Sequence, residues 1–327
     1  MAERPFPDQA QPALALWAAE AGRAELRTAY VGAPEQGQAQ VCALVSGISR
    51  GTESLVFQGR VPQSEWTRMR CPFQEGEFPF PVKYGYAMVG RTDGGERVFS
   101  LYPHQSLFNI GLDATVPVPA AVSTERAALA PQMETALNAT WDAAPRAGDR
   151  IAVVGGGVIG LLTAYLCARL PDVEATLIDA NRARAAVAHA LGVPFASPAD
   201  APFGCDIVFH ASGSPEGLDL ALSLAGFEAT VIELSWFGEG ATPVHLGGAF
   251  HSQRLTLKAS QVGSVAPARR ARWDHRRRLA KALSLCADPA LDVLVAQETP
   301  LADMPARFGA ILAEPSTLCH LIRYPEA

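Results

Sequence analysis

The chain has 327 residues, of which 49% are hydrophobic and 18% are charged. This composition excludes the disordered and coiled-coil classes, and the length suffices for about two domains. A formal net charge of −6 gives the whole chain no basic field for nucleic acid or an anionic membrane, so small-molecule chemistry is favoured.

The amino-terminal segment and the cysteines both favour a cytoplasmic protein. Glu3, Asp8 and three prolines occur in the first twelve residues, with no basic segment followed by an apolar run. The six cysteines form no C-x-x-C pair and no spacing with histidine that suits zinc. We therefore expect reduced, mostly buried thiols.

Residues 12 to about 120 alternate short apolar runs with turn residues, which is typical of a β-rich domain. An alanine-rich helical stretch follows from Thr124 to Ala143 and is closed by Pro145 and Gly148. This change in pattern predicts a domain boundary near residue 131.

From Arg150 the pattern is strand, glycine turn, helix and strand, and the alternation continues to about residue 260. Such alternation predicts a doubly wound parallel sheet with right-handed crossovers. The first part of it, Ile151 to Ala168, is eighteen residues without a charge and long enough for a membrane helix. Its four glycines favour a buried strand, a turn and a buried helix instead.

After Ser264 the pattern predicts a basic helical stretch, a strand at Leu291–Val295, a helix at Leu301–Leu312 and a last strand. The fold class is therefore α/β. We assign residues 1–131 and 266–327 to the β-rich domain and residues 132–265 to the dinucleotide domain.

A glycine motif follows the first strand of the parallel sheet. Gly155 suits the tight turn, Gly157 lets backbone amides approach a pyrophosphate, and Gly160 lets the helix pack close to the strand. Val158 and Ile159 open the helix, whose amino terminus carries partial positive charge. The segment fits G-x-G-x-x-G in the expected strand and helix context, which predicts a dinucleotide site.

Asp179 ends the next strand, 24 residues beyond Gly155, where a carboxylate accepts hydrogen bonds from ribose hydroxyls. Its charge repels a 2′-phosphate, so we expect NAD(H) to be preferred. Arg182 and Arg184 are close enough in sequence to permit NADP(H). Ser212 and Gly213 follow the fourth strand and are expected to line the cofactor.

The arrangement resembles the medium-chain dehydrogenase/reductase superfamily over nearly the whole chain. The segments that carry this resemblance are G-I-S-R-G-T-E, Y-G-Y-A-M-V-G, M-E-T-A, the glycine motif, D-I-V-F-H-A-S-G-S and L-T-L-K-A-S-Q-V-G. The resemblance implies a GroES-like catalytic domain, a Rossmann domain and an oxidoreductase.

Zinc members of that superfamily carry a cysteine in G-I-C-G-T-D and a His-Glu pair in G-H-E-x-x-G. Here Ser49 stands at the cysteine, and Tyr86 and Ala87 stand at the His-Glu pair. The four-cysteine lobe of structural zinc is also missing, because no cysteine lies between Cys71 and Cys167. Hydroxyls and a methyl group do not replace a thiolate and an imidazole, so we predict no metal.

The string S-G-I-S-x-G-T-E is similar to that of the bacteriochlorophyllide 3-hydroxyethyl dehydrogenases of the same superfamily. This short similarity favours a branch of the superfamily that lacks the zinc ligands, and it does not indicate the substrate. We expect a zinc-independent oxidoreductase acting on an alcohol or ketone. The alternatives are an enone or quinone reductase and a nucleotide-binding pseudoenzyme that senses redox state.

Without zinc, a hydrogen-bond donor must polarise or protonate the carbonyl. Tyr86 is the first candidate, although it also fits a packed strand aromatic, and Thr52 matches the proton-relay hydroxyl of zinc alcohol dehydrogenases or a turn cap. Glu134 resembles a carboxylate near the metal of polyol-type members, and it equally fits a helix carboxylate paired with a base. Ser49 is a further candidate for the catalytic site, although its small side chain equally fits a space-filling role.

Two further expectations concern partners. The edge strand Leu255–Ser260 predicts a homodimer formed by extending the sheet. The stretch Arg269–Arg278 contains six arginines, which we interpret as a solvated helix face rather than a nucleic-acid patch. We expect a small-molecule substrate and neither nucleic acid nor membrane as a partner.

Overall fold

A computed structural model describes residues 10–238 and 240–325. The chain divides into two compact units. Unit 1 consists of the described residues up to Pro131 and from Val295 onward, and unit 2 runs from Gln132 to Leu294. Glu3 and Asp8, on which the expectation of a cytoplasmic protein partly depends, lie outside the described residues.

The first boundary coincides with the predicted one, whereas the second lies at 294/295 rather than 265/266. The residues after 265 belong to unit 2 because the helix there is fixed by a buried side chain. Arg278 donates hydrogen bonds to Glu134 (2.9 Å) and to Asn138 (2.6 Å), which both lie in unit 2.

Unit 1 is built mainly of strands. Before the boundary its elements are β1 (Gln11–Glu20), β2 (Arg23–Val31), β3 (Gln38–Gly47), α1 (Arg50–Phe57), α2 (Trp66–Met69), β4 (Glu75–Gly76), β5 (Val82–Lys83), β6 (Met88–Thr92), β7 (Arg97–Ser100), β8 (Leu107–Gly111), β9 (Thr115–Pro117) and α3 (Thr124–Ala127).

These strands form two sheets. One has the order β2-β1-β5-β4, and the other has β3, β6, β7 and β9 in that order, with β8 also paired to β3. Inward residues of β1 such as Ala13 and Ala15 alternate with exposed ones, as expected for a strand with one buried face. The prediction of a β-rich first part is confirmed.

Unit 2 contains the parallel sheet. Its elements are α4 (Ala130–Ala143, which begins just before the boundary), β10 (Arg150–Val154), α5 (Val158–Cys167), β11 (Glu174–Ile178), α6 (Arg184–Ala190), β12 (Phe195–Ala196), β13 (Cys205–His210), α7 (Pro215–Leu224), β14 (Ala225–Glu233), α8 (Ala249–Ser252), β15 (Thr256–Ala259) and α9 (His275–Leu285).

The strand order is β12-β11-β10-β13-β14-β15, and every neighbouring pair is parallel. This is the order of a doubly wound dinucleotide fold, in which the chain reverses direction across the sheet between β10 and β13. The predicted α/β fold with a Rossmann sheet is confirmed.

The charge-free stretch from Ile151 divides as predicted into β10, a glycine turn and α5. Its residues are apolar because the strand is covered on both faces and the helix packs against it. No helix within the described parts of the chain has the length and hydropathy needed to cross a membrane.

Two predicted elements of the last part are wrong. Leu291–Val295 does not form a strand: a 3-10 helix covers Pro289–Leu294, and the three-residue spacing of Leu291 and Leu294 buries both side chains. The basic helical stretch is helical only from His275, where Asp274 caps α9 by accepting from the Arg277 amide. Residues before Asp274 form turns.

The chain returns to unit 1 in its last elements. These are β16 (Glu298–Pro300), α10 (Met304–Ala313) and β17 (Leu321–Arg323). β17 pairs with β3 and carries β16 at the edge of the larger sheet of unit 1, and Phe308 of α10 packs edge-on against Phe57. The first and last parts of the chain therefore share one core.

Candidate functional site

The glycine turn after β10 has the geometry that a dinucleotide site needs. Gly155 has a φ of +113°, and a side chain there would meet the backbone of Ser212 at 2.5 Å. A side chain at Gly160 would collide with the carbonyl oxygen of Gly155. Only glycine fits either position, because the turn and the first turn of α5 approach neighbouring backbone closely.

Gly157 differs from these two glycines. No atom lies within 4 Å of where its Cβ would be, so the space in front of α5 is open. Val158 and Ile159 begin the helix and are half-buried. An open surface at the positive end of a ten-residue helix fits a pyrophosphate, which these residues would hold through backbone amides.

Asp179 lies directly beside this turn. Its carboxylate accepts hydrogen bonds from the amides of Gly156 (2.5 Å) and Asn181 (2.6 Å). The side chain of Arg184 also approaches the turn, since a Cβ on Gly156 would lie 3.0 Å from its Cγ. An acid suited to ribose hydroxyls and a cation suited to a phosphate therefore share this corner of unit 2.

Ser212 and Gly213 follow β13 at the same edge of the sheet. The imidazole of His210, which is fully buried, lies 2.6 Å from the Ser212 hydroxyl and 2.7 Å from the Glu233 carboxylate. The Gly213 amide donates to the Ser235 hydroxyl at 3.0 Å. His210 and Glu233 thus fix the loop that was expected to line the cofactor, a support that sequence analysis missed.

In unit 1, three of the predicted catalytic residues come together. Ser49 precedes α1, Thr52 lies in its first turn, and Tyr86 precedes β6. Burial raises the pKa of Tyr86 to about 12, an effect that hydrogen bonding with the side chains of Ser49 and Thr52 partly opposes. The phenol therefore stays protonated at neutral pH and has a proton available to donate.

A buried polar chain adjoins this hydroxyl cluster, by which we mean Ser49, Thr52 and Tyr86. The Glu53 carboxylate accepts from the Ser49 amide (2.7 Å) and lies 3.0 Å from Nε2 of His104. Nδ1 of His104 lies 2.7 Å from the Ser46 hydroxyl. Glu53 pairs with His104 across 51 positions, and no local spacing in the sequence predicts this contact.

A small cavity of about 20 Å³ borders Glu53 and His104 and is otherwise lined mainly by apolar groups such as Val56, Phe57 and Tyr84. This volume holds one water molecule. The negative charge of Glu53 also contributes to the raised pKa of Tyr86. The buried acid therefore adds to the effect of burial in keeping the Tyr86 phenol protonated.

Glu134 lies in unit 2, on α4, with 6% of its surface exposed. Its carboxylate pairs with Arg278 of α9 at 2.9 Å, and Arg278 is 1% exposed. Burial raises the pKa of Glu134 and the guanidinium opposes that rise. This placement matches the expected alternative, a helix carboxylate paired with a base, and assigns Glu134 to the packing of α4 on α9.

The donors in unit 1 do not fit a zinc site. Ser49 and Tyr86 offer hydroxyls where a zinc site needs a thiolate and an imidazole. Among residues 10–238 and 240–325, no group of three or more His, Cys, Asp or Glu side chains is arranged to hold a metal ion.

The comparisons with known proteins bear on this arrangement. No protein-family model matches the chain. A 2-dehydro-3-deoxy-L-galactonate 5-dehydrogenase of Pseudoalteromonas atlantica is 24% identical over 231 residues, covering 67% of this chain and 64% of that enzyme. The chain thus matches slightly less than two thirds of the length of this relative.

Solved structures agree over almost the whole chain. The 2R,3R-butanediol dehydrogenase of Bacillus subtilis has a TM-score of 0.76 at 18% identity, covering 96% of this chain and 100% of that one. The L-idonate 5-dehydrogenase of Escherichia coli has a TM-score of 0.78 at 14% identity, covering 97% and 100%. The chain therefore shares the fold of these two dehydrogenases.

Proposed function

We propose that the chain is an NAD(P)(H)-dependent dehydrogenase that interconverts a secondary alcohol and a ketone without zinc, with NAD(H) preferred. The observation that carries this proposal is the hydroxyl cluster, which stands where zinc members of the superfamily have a thiolate and an imidazole. The glycine turn of the same chain is suited to a dinucleotide. The short S-G-I-S-x-G-T-E similarity supports a branch lacking the zinc ligands, but it does not indicate which substrate the enzyme uses.

The cofactor would be held by unit 2. The amides at Gly157, Val158 and Ile159 suit the pyrophosphate, Asp179 suits the adenosine ribose, and Ser212 with Gly213 suits the second half of the dinucleotide. When bound, the reduced nicotinamide supplies a hydride.

Carbonyl reduction adds that hydride to the carbon and a proton to the oxygen. Tyr86 is the proposed donor of the proton, since its hydroxyl is protonated at neutral pH and is held by two neighbouring hydroxyls. Thr52 or Ser49 passes a proton to Tyr86 in the same step, and solvent water restores the proton of that second hydroxyl. In the oxidation direction the alcohol proton moves to Tyr86 as Tyr86 passes its own proton through Thr52 or Ser49 to water.

The substrate class rests on the chemistry that related proteins share. The names of the curated relative and of the two solved structures describe oxidation at a hydroxyl of a sugar acid or a diol. We extend to this chain only the common part, a secondary alcohol and its ketone.

The test is a survey of NADH oxidation with ketones, enones and quinones, and of NAD reduction with secondary alcohols, with the products identified. We expect ketones to be reduced to alcohols. Reduction of the carbon-carbon double bond or of quinones alone would contradict the proposal, as would tight NADH binding without turnover of any compound.

A pair of variants ties the activity to the glycine turn. Gly157→Glu has space for its side chain but brings a negative charge to the pyrophosphate position, so NADH binding and turnover are expected to be lost. Gly247→Glu, at an exposed glycine that also has nothing within 4 Å of where its Cβ would be, serves as the matched control and keeps both.

A further inference from the structure

The arginine-rich segment of unit 2 borders a depression of about 280 Å³. Its lining consists of Gly263–Val265 on one side and of Arg270, Trp273, Asp274 and His275 on the other. We call this depression the arginine pocket. Its size suits a carboxylate or phosphate group together with part of the molecule that bears it.

Hydrogen bonds and a contact between two aromatic rings fix the walls of the pocket. His275 contacts the carbonyl oxygen of Gly263 at 3.0 Å, and the buried Arg278 donates to the carbonyl oxygens of Val262 and Ser264. The Trp273 ring packs 4.9 Å from the Trp141 ring. A ligand would therefore meet a largely preformed surface.

The charge of the pocket is opposite to that of the chain. Five arginines of the segment are exposed: Arg269, Arg270, Arg272, Arg276 and Arg277. The acid in the lining, Asp274, uses its carboxylate to cap α9. Within the described residues, neither Arg270 nor Arg272 forms an ion pair, so the guanidinium of Arg270 remains able to bind an anion in two-pronged geometry.

The position of the pocket follows from the sheet. Gly263–Val265 come after the carboxyl end of β15, the sixth strand in the order β12-β11-β10-β13-β14-β15. In this fold the first three strands hold the adenosine half of a dinucleotide and the last three hold the other half. Asp179 follows β11 in the first group, so the arginine pocket lies on the nicotinamide side of the sheet edge.

We propose that the arginine pocket binds an anionic group of the substrate, a carboxylate or a phosphate, through Arg270, with Trp273, whose ring carries the Arg277 guanidinium at 4.1 Å, in the adjoining wall. This inference rests on the proposed dehydrogenase function, because the compound that binds next to the nicotinamide in such an enzyme is its substrate. It narrows the substrate class to secondary alcohols and ketones that carry such an anion.

The test compares three aromatic ketones that differ in charge: 4-acetylbenzoate, 4-acetylphenyl phosphate and the neutral methyl 4-acetylbenzoate. Binding to the protein saturated with NAD is measured by calorimetry at constant ionic strength. We expect at least one anion to bind about tenfold more tightly than the neutral ester, as a single charge-assisted contact allows. The tighter of the two anions identifies the group that the pocket recognises.

Two variants locate the effect. Arg270→Gln is expected to bring the anion and the ester to similar affinities, whereas Arg272→Gln, an exposed arginine of the same segment outside the lining, is expected to keep the preference. The proposed role of the pocket would be overturned if the unmodified protein bound acid and ester equally or bound none of the three ketones. It would also be overturned if the preference for the anion survived Arg270→Gln or were lost equally in both variants.

Turnover separates this inference from the proposed function. Anion binding that depends on Arg270, without NADH oxidation by any ketone, would contradict the dehydrogenase and leave the pocket standing. NADH oxidation that is equal for acid and ester and insensitive to Arg270→Gln would contradict the pocket and leave the dehydrogenase standing.

Discussion

At the scale of single residues, the surroundings of Tyr86 decide what its hydroxyl can do. A phenol in water gives up its proton near pH 10, and here burial moves the pKa to about 12. Over the neutral range such a group has one protonation state, so its contribution as a donor should not vary with pH.

Tyr86→Phe is expected to lower kcat for ketone reduction by about 10²–10⁴-fold, the contribution typical of a positioned general acid. The affinity for NADH should not change, because the cofactor residues lie in unit 2. Steady-state rates with deuterated NADH, under conditions where hydride transfer limits the rate, provide the measurement.

Tyr84→Phe is the matched control, since the Tyr84 hydroxyl donates to the Met69 carbonyl at 2.9 Å and has no proposed role in the reaction. It should cost about 1 kcal/mol of stability and leave kcat intact. If Tyr86→Phe also retains full kcat, the proton donor lies elsewhere, and His104 becomes the next candidate.

Asp179 carries the second prediction at this scale. Asp179→Asn keeps an oxygen for the neighbouring amides but removes the charge that repels a 2′-phosphate. The ratio of NADPH to NADH dissociation constants should therefore fall, as measured by calorimetry with both cofactors. Tighter binding of NADPH than of NADH by the unmodified protein would show that Arg184, not Asp179, sets the preference.

Local spacing predicted Asp179 because the strand, turn and helix of a dinucleotide fold fix its distance from Gly155. The approach of Arg184 to Gly156 and the contact of Glu53 with His104 were not predictable in the same way. Both depend on how separate elements pack, and no residue periodicity records that.

At the scale of elements, the packing of α4 on α9 depends on one buried ion pair. Removing the acid by Glu134→Gln leaves the Arg278 charge uncompensated, and we expect the free energy of unfolding to fall by about 3–5 kcal/mol. Urea denaturation measures this loss.

Arg254→Ala breaks an exposed pair with Glu228 and should cost less than about 1 kcal/mol, which makes it a suitable comparison. The double replacement Glu134→Leu with Arg278→Met is expected to recover much of the loss, because it removes both buried charges. Unchanged stability in Glu134→Gln would show that the pair contributes nothing to the packing.

The edge of the parallel sheet carries a prediction about assembly. β15 ends the strand order and its outer side has no neighbour within the described chain, so we expect two copies to pair there as a homodimer. Light scattering at micromolar concentration measures the mass. Ala259→Glu should shift the protein toward monomer through repulsion between like charges, and Ala268→Glu, in an exposed turn, should not.

A monomeric unmodified protein would contradict this mode of pairing.

The elements themselves were predictable where apolar runs and turn residues agreed, as in β10, α5 and β11. The stretch from Leu291 misled because two leucines three residues apart can be buried by a 3-10 turn as well as by a strand.

At the scale of the whole molecule, the metal content is the clearest expectation. The purified protein should contain far less than one zinc per chain and keep its activity in a chelator, since Ser49 and Tyr86 offer hydroxyls and the described residues hold no group of three metal-binding side chains. Elemental analysis decides the first point and an activity assay after dialysis against EDTA the second. About one zinc per chain would overturn the argument from donor chemistry.

Composition and order of elements were enough to predict the class of fold and the first boundary between units. The second boundary was not predictable because it depends on the contact between Arg278 and Glu134, which are 144 positions apart in the sequence. Long-range pairs of this kind determine to which unit a segment belongs.

The burial of the thiols makes the chain suitable for site-specific labelling. Five of the six cysteines are buried, and only Cys42, on β3, is partly exposed. A maleimide dye should therefore attach to Cys42 alone in the folded protein, with no need to replace the other five. A single fluorophore on unit 1 would then allow distance measurements to a second label introduced on unit 2, in the presence and absence of NADH.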